Sequence, residues 1–153
     1  MGNRALTNAL NTIATEERHT PRPHFRQVLL AAPDIDVGVF KQLVKNFRNT
    51  ADRITVYASA KDLALEASKR FHTYTRAGES ASEIAGLEGI EPIDVSAVDK
   101  GPFLEALLGH TYFADNQEML LDITGILMGK TTKERPKLQP RQVGNARYWE
   151  VVR

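Results

Sequence analysis

Acidic side chains and one histidine follow the apolar, strand-like segments of this 153-residue chain in an order that suits proton transfer. Asp34 and Asp36 follow the first such segment, Asp62 follows the second, and His110 lies downstream of the third. A histidine beside a hydroxyl group takes its proton, while a carboxylate on the other ring nitrogen fixes the tautomer and stabilises the imidazolium. The same spacing also has a structural interpretation. Asp34 would then brace a turn and Asp36 would cap a helix.

Helix-like and strand-like patterns alternate along the chain and predict the elements that position these groups. They predict, in order, a helix over about 3–17, a strand over 27–32, a helix begun by Asp36, a strand over 53–58, a helix over about 62–71, a surface loop over 78–89, a strand over 91–98 and a helix over about 115–129. Such alternation is typical of a parallel α/β sheet with helices on both faces. Three parallel strands are few for that architecture, and no strand precedes the first helix. The fold is therefore expected to be incomplete on its N-terminal side.

Two of the predicted helices carry apolar stripes that should face the sheet. The first stripe consists of Ala5, Leu6, Ala9, Leu10 and Ile13, and the last consists of Met119, Leu120, Ile123, Ile126 and Leu127. We expect residues 1–129 to form one partial α/β domain and residues 130–153 a basic C-terminal tail. That tail holds the single tryptophan, Trp149, and either packs through Tyr148 and Trp149 or stays loose.

The composition excludes several classes of function. The chain has no cysteine, which excludes a disulfide scaffold, a thiol nucleophile and an iron–sulfur cluster. Its formal net charge of +1 gives no electrostatic reason to expect a nucleic-acid partner. No apolar run approaches the length of a membrane span, and a cytoplasmic location is expected. No metal site and no cofactor are predicted, because the histidines lack clustered carboxylates and no phosphate-binding glycine motif is present.

Several segments, taken in order, resemble the C-terminal half of an α/β-hydrolase family that is found mainly in bacteria and has no known function. The matching segments cover roughly residues 1–129 and are Met1–Arg4, Leu29–Phe40, Val56–Leu65, Arg76–Glu79, Ile93–Asp99 and Leu108–Phe113. The resemblance implies an α/β fold, namely the C-terminal portion of a three-layer αβα sandwich with a mainly parallel sheet.

The resemblance also implies a set of site residues. Members of the family carry Gly-His-Ser-Met-Gly-Asn at the turn that bears their nucleophilic serine, and residues 1–3 match its last three positions. The serine would then directly precede Met1, whose backbone N–H would help to form the oxyanion hole. Gly2 would allow helix and strand to approach closely. Asp62 matches the orienting acid and His110 the general base.

The acid has two alternatives, Asp34 and Asp36, because some α/β-hydrolases place it after the earlier strand. The implied activity is serine esterase or lipase-like hydrolysis of a small-molecule carboxylic ester. The sequence as given lacks the nucleophile, so we expect a truncated fragment with little activity. The alternative is a non-catalytic α/β binding module. It would complete its sheet by association with a missing N-terminal half or with a second copy, as a homo-oligomer.

Overall fold

A computed structural model describes residues 2–17, 22–60, 74–98 and 117–153, which form a five-stranded sheet with helices on both faces. The helices are α1 (Gly2–Glu16), α2 (Val37–Phe47) and α3 (Gln117–Leu127), with short 3-10 helices at Ser82–Ile84 and Thr132–Glu134. The strands are β1 (Phe25–Ala31), β2 (Ala51–Ala58), β3 (Ile90–Asp94), β4 (Leu138–Val143) and β5 (Ala146–Val151). The α/β class expected from the sequence is confirmed.

The sheet has the strand order β1-β2-β3-β5-β4 and is mainly parallel. The β1–β2, β2–β3 and β3–β5 pairs are parallel, and only β4 runs antiparallel to its neighbour β5. Because parallel strands point the same way, the carboxyl ends of β1, β2 and β3 lie side by side, and we call this side of the sheet its carboxyl edge. Among the described residues, β1 pairs on one side only, with β2.

Two apolar clusters lie on opposite faces of the sheet, which explains why residues 28–31 of β1 and 54–58 of β2 are largely apolar. One cluster joins Val28, Leu30, Ile54 and Val56 to side chains of α1 and α2. The other joins Tyr57 and Ile93 to Met119 and Ile126 of α3. The sheet is therefore the middle layer of three.

The helix α2 begins where the sequence predicts, because Asp36 caps it. The Asp36 carboxylate accepts a hydrogen bond of 2.9 Å from the Val39 amide, and the buried Phe40, Val44 and Phe47 follow at helical spacing. An aspartate at this position satisfies one of the free amides of the first turn. The structural interpretation of Asp36 is confirmed.

Within the predicted tail 130–153, the strands β4 and β5 form a hairpin that joins the sheet, so the alternative of a loose tail is wrong. β5 lies between β3 and β4, Trp149 is half-buried, and Val151 is buried. The sheet therefore crosses the boundary expected between residues 129 and 130. β4 is exposed after Leu138, and three of its six residues are polar, which hides its strand character from a pattern based on hydrophobicity.

The two apolar helical stripes are only partly buried, contrary to expectation. In α1, Leu10 is buried whereas Ala5, Leu6 and Ala9 are exposed. In α3, Leu120 and Leu127 are exposed, whereas Asp122 is 2% exposed. Asp122 instead faces the sheet, where its carboxylate forms an ion pair with the buried Arg135.

The segment predicted as a surface loop over residues 78–89 is also partly buried, through Ala81 and Ile84. The predicted helix over about 62–71 lies outside the described residues. No described helix has the length and apolar character needed to cross a membrane.

Candidate functional site

The carboxyl ends of β2 and β3 are joined by hydrogen bonds at one edge of the sheet. The Ala60 amide donates to the Ser96 hydroxyl at 2.8 Å, and the Ser96 amide donates to the Asp94 carboxylate at 2.8 Å. The Val95 amide donates to the Ala58 carbonyl at 2.9 Å. In open α/β sheets, ligands bind outside this end of the strands, and we therefore place the candidate site here.

The first turn of α1 is attached to the same edge. The Asn3 side-chain amide donates to the carbonyl of Ala31, the last residue of β1, at 2.6 Å. The Arg4 guanidinium donates to the backbone carbonyl of Asp34 at 2.7 Å. Gly2, the predicted elbow glycine, is exposed at this edge, and a Cβ atom there would meet nothing within 4 Å. No described residue therefore requires glycine at this position.

The three other residues predicted for catalysis, Met1, Asp62 and His110, lie outside the described residues. Asp62 comes two positions after Ala60, the last described residue beyond β2, and His110 belongs to the segment 99–116 that follows β3. The last described residues before these two segments, Ala60 and Val98, follow the carboxyl ends of β2 and β3. The roles assigned to Met1, Asp62 and His110 remain predictions.

Asp34, the first alternative acid, lies between two arginines. Its carboxylate forms an ion pair with Arg76 and lies 3.8 Å from the Arg4 guanidinium. The Asp34 side chain is 37% exposed, and Arg4 and Arg76 are also partly exposed. We call Arg4, Asp34 and Arg76 the edge cluster. Asp36, the second alternative acid, is engaged as the cap of α2.

The loop that carries Arg76 fits tightly against the end of β1. A Cβ atom on Gly78 would lie 2.3 Å from the backbone carbon of Ala32 and 2.5 Å from the nitrogen of Pro33, so only glycine fits. Ala32 has a φ of 43°, in the left-handed region that L-residues rarely adopt. Strained backbone of this kind is concentrated at functional sites. The sequence does not predict this contact, because a glycine in a loop gives no sign of what lies against it.

Hydrogen bonds hold the same loop between the ends of two strands. The Gly78 amide donates to the Pro33 carbonyl at 3.0 Å, and the Ser59 amide donates to the Gly78 carbonyl at 2.9 Å. Within the loop, the Glu79 carboxylate accepts from the Arg76 amide at 2.8 Å. The loop thus connects the end of β1 to the end of β2.

A second group of polar side chains lies between the sheet and α3, and we call it the buried cluster. It comprises Thr55, Tyr57, Glu91, Asp122 and Arg135. The Tyr57 hydroxyl donates to the Asp122 carboxylate at 2.6 Å, and Arg135 lies 3.1 Å from the same oxygen. Arg135 also pairs with Glu91, which accepts a hydrogen bond of 2.9 Å from the Thr55 hydroxyl.

Burial changes the protonation equilibria of the buried cluster. Desolvation raises the pKa of the Tyr57 hydroxyl far above its ordinary value, and the neighbouring Asp122 charge adds to this effect. Desolvation also raises the pKa of Asp122, opposed by the hydrogen bond from Tyr57 and by the Arg135 charge. The Oδ1 atom of Asp122 and the Nε atom of Arg135 have no hydrogen-bond partner among the described residues. No described group of histidine and carboxylate side chains is arranged to hold a metal ion.

Comparison with known proteins identifies one family. The model of a family described as alpha/beta hydrolase of unknown function (DUF900) matches residues 1–130. This range includes all three described helices and the strands β1 to β3, and it ends before the hairpin of β4 and β5. No curated protein and no solved structure matches the chain.

Proposed function

The chain belongs to this family of alpha/beta hydrolases, and we propose that the protein is a serine-dependent hydrolase of carboxylic esters. The observation that carries this proposal is the hydrogen bond from Asn3 to the carbonyl at the end of β1. This hydrogen bond supports placing the start of α1 at the carboxyl edge of the sheet. The residues that precede the segments bearing Asp62 and His110 lie at the same edge. A serine directly before Met1 would then belong to the same edge.

The proposed reaction proceeds through an acyl-enzyme. The serine oxygen attacks the ester carbonyl while His110 takes the serine proton, and Asp62 stabilises the resulting imidazolium. The backbone N–H of Met1 donates to the carbonyl oxygen as it becomes negatively charged. The ester bond then breaks, and the alcohol leaves with the proton from His110. Water, activated by His110, releases the carboxylic acid and restores the serine.

The contacts that the two alternative acids already make support Asp62 as the acid that orients His110. Asp34 is held between two guanidinium groups and Asp36 caps a helix, so neither carboxylate is free to orient a histidine. Asp62 follows β2 by a few residues, which is the strand-end position that the family pattern assigns to the acid.

The test begins with the coding DNA directly upstream of Met1. We expect an in-frame Gly-X-Ser immediately before this methionine. Protein made from the complete reading frame should then react with a fluorophosphonate probe, and His110→Ala should abolish the labelling. His24→Ala is the matched control, because His24 pairs with Glu17 at 2.5 Å, away from the carboxyl edge. An in-frame stop codon close upstream, or equal labelling of the His110→Ala variant, would contradict the proposal.

The second candidate function is a non-catalytic binding module that completes its sheet by association. It is supported by the exposure of Ala5, Leu6 and Ala9 on α1 and by the pairing of β1 with β2 alone among the described strands. The opposite edge strand, β4, contains Pro140 and Arg141, which discourage strand pairing, whereas residues 28–31 of β1 contain neither proline nor charge. Sedimentation velocity over a hundred-fold concentration range separates the two functions. Association that Leu6→Asp weakens, without probe labelling, would favour the binding module.

A further inference from the structure

We infer that Asp34 is a positioning residue, which clamps the first turn of α1 to the loop that carries Arg76. This inference rests on the proposed function, because the clamped turn is the one that would follow the nucleophilic serine. Asp34 would then act through Arg4 and Arg76, without contact to the reacting atoms.

The position of Asp34 between two chain segments supports this role. Its backbone carbonyl accepts a hydrogen bond from Arg4 of α1, and its carboxylate pairs with Arg76, which lies 42 positions further along the chain. The Arg4 guanidinium, 3.8 Å from that carboxylate, completes a bridge from helix to loop. Asp34 thus contacts Arg4 through both its backbone carbonyl and its carboxylate, and Arg76 through its carboxylate, so this one residue links two separate pieces of the candidate edge.

Several contacts fix the backbone on the loop side of the bridge, so a shift at Asp34 would be transmitted to α1. The loop is held by the Gly78 contact with Ala32 and by the hydrogen bond from Ser59. The Ile35 carbonyl accepts from the Ala77 amide at 2.8 Å, and the Thr75 carbonyl accepts from the Val37 amide at 3.0 Å. The first turn of α1, in contrast, has only the bonds of Asn3 and Arg4 to this edge among the described residues. The ion pairs of Asp34 therefore add to the few bonds that attach the first turn of α1 to a well-held loop.

The first test is amide hydrogen–deuterium exchange on the 153-residue chain. Asp34→Asn keeps the shape of the side chain and removes its charge, and we expect exchange in the first two turns of α1 to become about five-fold faster. Glu150→Gln is the matched control, because Glu150 pairs with Arg141 on the exposed hairpin. Unchanged exchange in the Asp34→Asn variant would overturn the inference.

The second test is a double-mutant cycle on protein made from the complete reading frame, with p-nitrophenyl acetate as substrate. We expect Asp34→Asn to lower kcat by about 10- to 100-fold with little change in KM, as displaced reacting groups do. The acid limb of the pH profile should not move, since it reports the base. In an Arg76→Gln background the further loss from Asp34→Asn should be less than two-fold.

If Asp34 were the catalytic acid, its replacement would cost about 10⁴-fold in either background. That result would overturn the inference and leave the proposed hydrolase intact. A reading frame without a serine would instead refute the proposed function and with it the positioning role. The exchange experiment would still decide whether the clamp exists.

Discussion

The edge cluster and the buried cluster both combine arginine with carboxylates, yet their environments are opposite. The side chains of the edge cluster are between 29% and 64% exposed, whereas those of Asp122 and Arg135 are 1% exposed. Exposed ion pairs contribute about 0–1 kcal/mol, because water screens them. Breaking a buried pair costs far more, since one charge is left without a partner in a medium of low polarity. The buried cluster should therefore control stability, and the edge cluster should control local geometry.

The largest effect is expected for Arg135→Met. This change leaves Asp122 buried without its cation and should lower the free energy of unfolding by about 3–5 kcal/mol, measured by urea denaturation. Arg147→Met, on an exposed part of β5, is the control and should change stability by less than about 0.5 kcal/mol. A cost below about 1 kcal/mol for Arg135→Met would show that the two clusters do not differ as argued.

The next effect concerns the backbone of the edge. Gly78→Ala places a methyl group against the backbone of Ala32 and should cost about 1–3 kcal/mol in the same assay. Gly2→Ala is the matched control, because an added Cβ there meets nothing within 4 Å. Similar costs for the two changes would refute the idea that backbone fit, more than ion pairing, stabilises this edge.

The pH dependence of stability sharpens the comparison, because the buried cluster contains a carboxyl group with a raised pKa. Asp122 binds its proton more tightly in the folded than in the unfolded protein. It therefore adds stability at low pH, and this contribution is lost as the pH rises from 3.8 through the raised value. The difference in unfolding free energy between the wild type and Asp122→Asn should fall over that range.

Glu134 is the control for this pH effect, with the opposite sign. Hydrogen bonds from Thr131 lower the pKa of its carboxyl group, so its contribution is present at neutral pH and lost on acidification. Urea denaturation at a series of pH values measures the unfolding free energy of both variants and of the wild type. If the difference in unfolding free energy from the wild type changed with pH in the same direction for Asp122→Asn and Glu134→Gln, the opposite pKa shifts assigned to these two residues would be contradicted.

The smallest effect on stability is expected for Asp34→Asn. Its two partners are partly exposed, and we expect a loss below about 1 kcal/mol. A loss above about 2 kcal/mol in urea denaturation would mean that the edge cluster stabilises the whole fold, and the contrast with the buried cluster would disappear.

Local patterns predicted the elements whose cause is local. The cap at Asp36 involves a contact across three residues, and the apolar runs of β1 and β2 needed only burial on both faces. The two clusters could not be predicted in this way. Tyr57 and Asp122 are 65 positions apart, and Asp34 and Arg76 are 42 apart. The candidate site was predictable only as a place at the ends of strands, together with the residues that the family pattern supplied.

The sequence by itself determined the α/β class and the carboxyl edge of the sheet, because alternating helix and strand patterns and polar strand ends are local properties. Resemblance supplied the family, which the match over residues 1–130 confirmed. Only the tertiary structure decided that residues 138–151 extend the sheet, that Asp122 turns inward, and that Asp34 lies between two arginines. Each of these depends on charges or amides that find partners far away in the chain, and such pairing exists only once the chain has folded.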